Sequence, residues 1–199
     1  MTPGARIAAA IDILTAIDAA ARPADDTAAD YFRRRRYIGA KDRAAISAQI
    51  YAVLRHRSAL DWWVAREGNG VADATRARVI AALTLAEGRT AESLAASFDG
   101  GRFRPAILAP AEQTLAKRLA GRTLHHPAMP RAVANDLPGW LEPRLAALYG
   151  LALEAEMAAL NGPAPMDLRV NAVKGDREAA LRGLAAAGIS AEKTRYSPL

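Results

Sequence analysis

The sequence predicts a mainly α protein: a helical bundle over residues 1–162, then a short, truncated α/β segment of βαβ type over residues 163–199. Three observations carry this. Apolar residues make up 51% of the chain but aromatics only 6%, so its core must come from Ala, Leu, Ile and Val, a composition that suits packed helices. As far as Leu160, apolar positions recur every three or four residues, with Pro, Asp, Thr and Gly as punctuation. At Asn161-Gly162-Pro163-Ala164-Pro165 that rhythm stops and an alternating pattern replaces it.

Pro3 suits the first turn of a helix whose stripe is Ile7, Ile11, Leu14 and Ile17. Arg22-Pro23 breaks it, and Asp25-Asp26 start a short second helix with Ala28, Ala29 and Tyr31. Asp42 is the expected N-cap of a third helix, with Ile46, Ile50, Val53 and Leu54 on its buried face. At 100° per residue Arg57 would return to that face, so the helix should bend or stop near His56. Ser58 can cap the next helix, which holds Leu60, Trp62 and Trp63 and closes at Gly68-Asn69-Gly70.

Asp73 opens a helix with Val79, Ile80 and Leu83, and Thr90 opens one with Leu94 and Phe98. Pro110 starts a segment with Leu115 and Leu119. After His125 to Pro130, the pattern resumes through Pro138, Trp140, Leu141, Leu145 and Leu148 to a stop at Gly150. Leu153, Met157 and Leu160 form the last stripe. Beyond the boundary Leu168, Val170 and Ala172 alternate with Arg169, Asn171 and Val173, as in a strand. Asp176 caps a helix bearing Ala180, Leu181 and Leu184, Gly188 ends it, and Ile189 to Tyr196 reads as a second strand. Two strands and a helix are too little to stand alone, so the segment reads as a domain cut short.

Several function classes are excluded. Without a cysteine, these residues hold no disulfide, thiolate zinc site or cysteine nucleophile. Asp12 and Asp18 interrupt the N-terminal apolar segment where a signal peptide needs continuity, and no run approaches the roughly 20 apolar residues of a membrane span. The expectation is a cytoplasmic chain with no membrane and no metal. There is no phosphate-cradling glycine loop, nucleophile elbow or metal-ligand helix motif, and so no catalytic residue.

Net charge is +6, unevenly spread: −3 over residues 1–30, +7 over 31–57, +2 over 58–140 and zero over 141–199. A basic stretch so confined points to a polyanion partner. Arg33, Arg34, Arg35 and Arg36 lie between Tyr31-Phe32 and Tyr37, with Lys41, Arg43, Arg55 and Arg57 close in sequence. Four consecutive arginines on one helix would span about 300°, so the cluster grips better if partly irregular. Arg suits phosphate because its planar fork donates two parallel hydrogen bonds, and the flanking rings could stack on unpaired bases. The bland alternative is a solvated basic face whose aromatics belong to the core.

His56 could touch phosphate or be structural. His125 and His126 are adjacent, so their rings diverge, and no carboxylate has ligand spacing. Trp62, Trp63 and Trp140 are stacking platforms or, more simply, packing mass for an aromatic-poor core.

Two segments carry a family resemblance. Lys41-Asp42-Arg43-Ala44-Ala45, through Ile50-Tyr51-Ala52-Val53-Leu54-Arg55, to Leu60-Asp61 resembles the helix pair of NusB-like domains, with Ala45 in place of the usual Phe. Such helical RNA-binding units occur alone as a transcription antitermination factor, or fused to the front of Sun or RsmB-type ribosomal RNA cytosine methyltransferases. Pro138-Gly139-Trp140-Leu141, Tyr149-Gly150, Leu168-Arg169-Val170-Asn171-Ala172-Val173-Lys174, and Arg177 to Gly188-Ile189 resemble the linker and opening of the methyltransferases' next subdomain.

The resemblance implies a NusB-like bundle that helps hold small-subunit ribosomal RNA beside the protein's own C-terminal methyltransferase domain, and the basic stretch makes Arg33 to Arg36, Lys41, Arg43, Arg55 and Arg57 the expected contacts. The implied reaction is methyl transfer from S-adenosylmethionine to the 5-position of a cytosine, and the family's cofactor-binding glycines and cysteines lie downstream of the matched region. No cofactor is therefore expected in this fragment. The rivals are a helical protein-interaction module, favoured if Trp62, Trp63 and Trp140 form an exposed patch, and an antitermination factor, disfavoured by the segment from Leu168 onward.

Overall fold

A computed structural model describes residues 1–162, 164 and 166–195. Its contacts divide the chain into two compact units, Met1–Asn161 and a second beginning at Gly162.

The first unit is built around α1 (Pro3–Ala19). The Thr2 hydroxyl accepts the Ala5 N–H at 3.2 Å and Pro3 occupies the first turn, so the helix starts where its orphan donors are met. Ile7, Ala9, Ala10, Ile13 and Leu14 are buried along it, against α2 (Ala24–Arg34), α3 (Ala40–Arg55), α5 (Ala74–Leu85) and α6 (Ala91–Ser97). α4 (Arg57–Glu67) and α7 (Pro110–Leu119) also pack against α5 and against each other. Ala59, Ala77, Ala81 and Ala116 are fully buried, so small side chains let these helices approach closely. Ile46, Ile50, Leu60, Ile80 and Leu115 then fill the space between them.

Several caps are those the sequence names. Asp73 accepts from the Arg76 N–H at 2.9 Å, Thr90 from the Ser93 N–H at 3.2 Å, and Pro110 opens α7. The chain also breaks at His56, whose backbone leaves helical geometry. Two expectations fail. Asp42 is no N-cap: α3 starts at Ala40 behind Gly39, and the Asp42 carboxylate is taken by the terminal ammonium of Met1 and by Arg6. Ser58 lies inside α4, which starts one residue earlier at Arg57.

The end of this unit is thinly packed. α8 (Arg131–Ala134) is one turn, and α9 (Glu142–Tyr149) buries none of its residues. Gly150, at φ 54°, ends α9, and a 3-10 turn leads into α10 (Leu153–Asn161), where only Leu153 and Met157 are buried. Trp140 is therefore 69% exposed rather than part of a core.

In the second unit α11 (Arg177–Ala186) forms as expected, with Asp176 accepting from the Ala179 N–H at 2.7 Å. Gly188 at φ 75° and the Ile189 N–H bonded to the Leu184 carbonyl end it. No strand is assigned among the described residues on either side, and the second expected strand runs to Tyr196, outside them. The flanks and α11 border an open hollow of about 1000 Å³, lined in part by Leu168, Val170, Leu181, Leu184 and Ile189. Strand structure needs a ladder partner, which the alternating pattern alone cannot provide.

Candidate nucleic-acid interface

The basic segment is shaped by two apolar anchors. Phe32 at the end of α2 and Ile38 in the following turn are buried, so the residues between them are forced outward. The Arg35 N–H bonds to the Phe32 carbonyl at 3.1 Å, and the Ile38 N–H to the Arg35 carbonyl at 3.0 Å. Arg33 and Arg34 thus lie on the last turn of α2, while Arg35, Arg36 and Tyr37 lie on the turn itself. That irregularity is what a run of four arginines needs to avoid encircling a helix.

The arginines divide by what they touch. The Arg35 guanidinium lies 3.6 Å from the Tyr31 ring centroid, and the Tyr31 hydroxyl donates to Asp12 at 3.0 Å. Burial and the Asp12 carboxylate push the Tyr31 phenol well above its ordinary value. Arg33 pairs with Asp30, which also receives Arg22 at 2.6 Å. Arg43 donates from Nε to the Ile38 carbonyl at 2.8 Å, with its guanidinium near the Phe32 ring, and so clamps the turn to α3.

Asp42 ties the start of α3 to the start of α1 through Met1 N at 2.9 Å and Arg6 Nε at 2.7 Å. Those bonds, the ammonium's first, hold its carboxyl below the usual range. At the far end of α1, Arg57 reaches Asp18 at 2.8 Å, and Arg78 joins Asp18 at 2.8 Å to Asp61 at 2.5 Å. Lys41 and Arg55 are separated along α3 by about 21 Å at 1.5 Å per residue. The structure therefore groups Arg33 to Arg36, Lys41 and Arg43 near one end of α1, and Arg55 and Arg57 near the other.

Among the described residues, Arg34, Arg36, Lys41 and Arg55 are exposed and make no ion pair, and Tyr37, next to Arg36 in the turn, is 74% exposed. Arg35, Arg43 and Arg57 are engaged internally. His56 is held by Asp136 at 3.1 Å, a structural contact.

The remaining aromatic residues are mostly internal. Trp63 is 1% exposed and donates from Nε1 to the Leu124 carbonyl at 2.8 Å. Trp62 is half-buried, with its ring near both Arg66 and His126. His126 Nδ1 accepts from the Ala128 N–H at 3.0 Å. No group of three or more His, Asp or Glu among the described residues could hold a metal, and no helix there is long and apolar enough to cross a membrane.

Two surface features escape a reading for charge runs. Arg66, Arg118 and Arg122 converge on Glu67 from two helices and a loop. The loop after α6 exposes Arg102 and Phe103 within Gly100-Gly101-Arg102-Phe103-Arg104-Pro105. Glycines and a proline around a basic-aromatic core are the signal that could have found it.

Residues 137–199 match the family model described as "Methyltr_RsmF/B-like, ferredoxin-like domain". The chain is 33% identical over 167 residues to "Ribosomal RNA small subunit methyltransferase B" of Xylella fastidiosa strain 9a5c, covering 79% of this chain and 38% of that protein. The protein of the same name from strain Temecula1 gives the same identity and coverage. The chain thus spans well under half the length of these relatives. No solved structure matches it significantly. A ferredoxin-like match at one end, and a likeness to these two relatives over most of the sequence, make the chain similar to part of the Sun/RsmB-type ribosomal RNA methyltransferases.

Proposed function

We propose that this chain is the RNA-binding N-terminal part of an S-adenosylmethionine-dependent ribosomal RNA cytosine-5 methyltransferase, a cytoplasmic protein. Residues 1–162 act as its NusB-like unit, holding small-subunit ribosomal RNA for a catalytic domain elsewhere in the parent protein. The carrying observation is the set of exposed, unpaired cations Arg34, Arg36, Lys41 and Arg55 around the turn between α2 and α3 and on α3. Arg33, Arg35, Arg43 and Arg57 complete the basic surface while holding its local structure.

S-adenosylmethionine would supply the methyl group in the parent protein. A thiolate that adds to cytosine cannot come from these residues, which include no cysteine. Residues 163–199 would open the ferredoxin-like subdomain, a reading supported by the family match over 137–199. The match over 137–199 favours this context over an antitermination factor. Exposed Trp140, Leu148 and Leu151 favour a second role for the α9–α10 region, docking on the parent protein's own catalytic domain.

The test is binding of a labelled small-subunit ribosomal RNA fragment at a series of salt concentrations. If about four phosphates are neutralised, log affinity should fall with log salt at a slope near 3 for single-stranded RNA. Loss of binding on replacing Arg34, Arg36, Lys41 and Arg55 together by Ala supports the reading. Unchanged affinity and slope overturn it.

A further inference from the structure

We infer that Arg102 and Phe103 form a stacking platform for an unpaired RNA base, extending the basic surface of α2 and α3 across the start of α1. This rests on the RNA-binding reading above and adds a second station to it. Phe103 is 70% exposed and has φ 64°, in the left-handed region that a bulky side chain rarely adopts. Its ring is within reach of a cation: the Arg102 guanidinium lies 4.9 Å from the ring centroid. An exposed aromatic ring beside a guanidinium is a surface on which any base can stack while its phosphate meets charge.

The loop holds this shape through its own bonds. Asp99 accepts from the Gly101 N–H at 3.0 Å and from Arg104 Nη1 at 2.5 Å. The Gly100 N–H bonds to the Pro105 carbonyl at 3.0 Å, and the Arg104 N–H to the Gly101 carbonyl at 2.9 Å. Phe103 therefore projects from a closed loop rather than a loose one, so less order must be gained when it binds.

Position links the loop to the basic segment. A Cβ at Gly4 would lie 3.0 Å from Arg104 Cδ, so the loop packs on the first turn of α1. Arg6, two residues on, holds Asp42 at the start of α3. Two residues turn a helix by about 200°, so the loop and the start of α3 flank α1 on opposite sides. They are then separated by roughly one helix diameter, about 10 Å, a span that a few nucleotides can bridge.

The test uses the whole chain and a fluorescein-labelled, single-stranded 12-nucleotide RNA of mixed sequence. Phe103→Gly suits the left-handed backbone better than phenylalanine, so its thermal midpoint should equal or exceed the parent's. Its RNA affinity should nevertheless fall about tenfold, the loss of one base stack. Phe103→Trp should retain affinity, and its fluorescence should be quenched by the RNA beyond any quenching of the parent chain.

If Phe103→Gly binds as tightly as the parent while the Arg34, Arg36, Lys41 and Arg55 replacement loses binding, the RNA-binding reading stands and the platform is overturned. If the parent chain itself fails to bind the RNA, both fall.

Discussion

His56 and Asp136, eighty positions apart, meet at the start of α4, with His56 Nδ1 3.1 Å from Asp136 Oδ2. The other carboxylate oxygen, Oδ1, accepts the Ala59 N–H at 3.1 Å, so Asp136 caps α4 from a remote part of the chain. Asp136 itself has φ 52°, just beyond the end of α8, and its side chain is 3% exposed. One residue thus terminates one helix and starts another.

Asp136→Ala should therefore destabilise by about 2–3 kcal/mol, combining the lost cap with a Cβ residue left in the left-handed region without local hydrogen bonding. Asp136→Asn should cost less than about 1 kcal/mol, because an amide oxygen can still accept from Ala59 and Asn tolerates that backbone. Urea unfolding of the two variants measures both. Equal losses would mean that the carboxylate charge, not the cap, is what Asp136 contributes.

The basic segment should separate into two kinds of variant. Arg34→Ala and Arg36→Ala remove exposed, unpaired cations, so RNA affinity should fall and the salt slope flatten by about 0.7 for each phosphate no longer neutralised, with the thermal midpoint unchanged. Arg57→Ala breaks a partly exposed bond to Asp18 within a network also holding Arg78 and Asp61. It should lower stability by about 1 kcal/mol and affect RNA less. Salt-series binding and thermal melts on the same preparations distinguish the two.

What was legible in the sequence was local. Asp73, Thr90 and Asp176 accept from donors three residues on, Pro110 occupies the first turn of α7, and Gly150 and Gly188 fill left-handed positions at helix ends. What escaped was set by distant partners. Asp42 looks like a cap until the terminal ammonium and Arg6 claim it, and Arg57 looks free until Asp18 arrives from another helix. Phe103 carries no charge and lies in no periodic stripe, so only its backbone angle and exposure draw notice. Strands expected around α11 depend on ladder partners that a pattern of alternation does not specify.

Acid should expose the buried pair of α5 and α7. Glu112 accepts from Arg76 Nε at 2.7 Å and Nη2 at 2.9 Å, and from the Ala109 N–H at 2.9 Å. Burial opposes its charge, but Arg76 and the Ala109 amide outweigh burial and hold the carboxyl below its ordinary value. A depressed carboxyl contributes stability that is full above the unfolded value, about 4.3, and is lost as pH falls through the folded one. Urea unfolding at a series of pH values should show that loss in the parent chain and a flatter profile in Glu112→Gln. At neutral pH the variant should be about 2–3 kcal/mol less stable, below the full cost of a wholly buried pair because Arg76 also donates to the Ala106 carbonyl.

Gly4→Ala sets two opposing effects against each other. Ala is favoured over Gly by about 1 kcal/mol in a helix interior and by less in the first turn, where Gly4 lies, so propensity alone predicts a small stabilisation. A Cβ at Gly4 would lie 2.6 Å from the Ser97 carbonyl oxygen, closer than real Cβ atoms come, and Ser97 belongs to the backbone at the end of α6. Backbone cannot swing aside as a side-chain tip can, so α1 and α6 must move apart, at about 1–3 kcal/mol for an overpacked site. The clash should win, giving a lower thermal midpoint. The same displacement would shift the Arg104 packing at the base of the Phe103 loop, so RNA affinity should drop in parallel. A higher midpoint would mean that α6 yields at less cost than the gain in helix propensity.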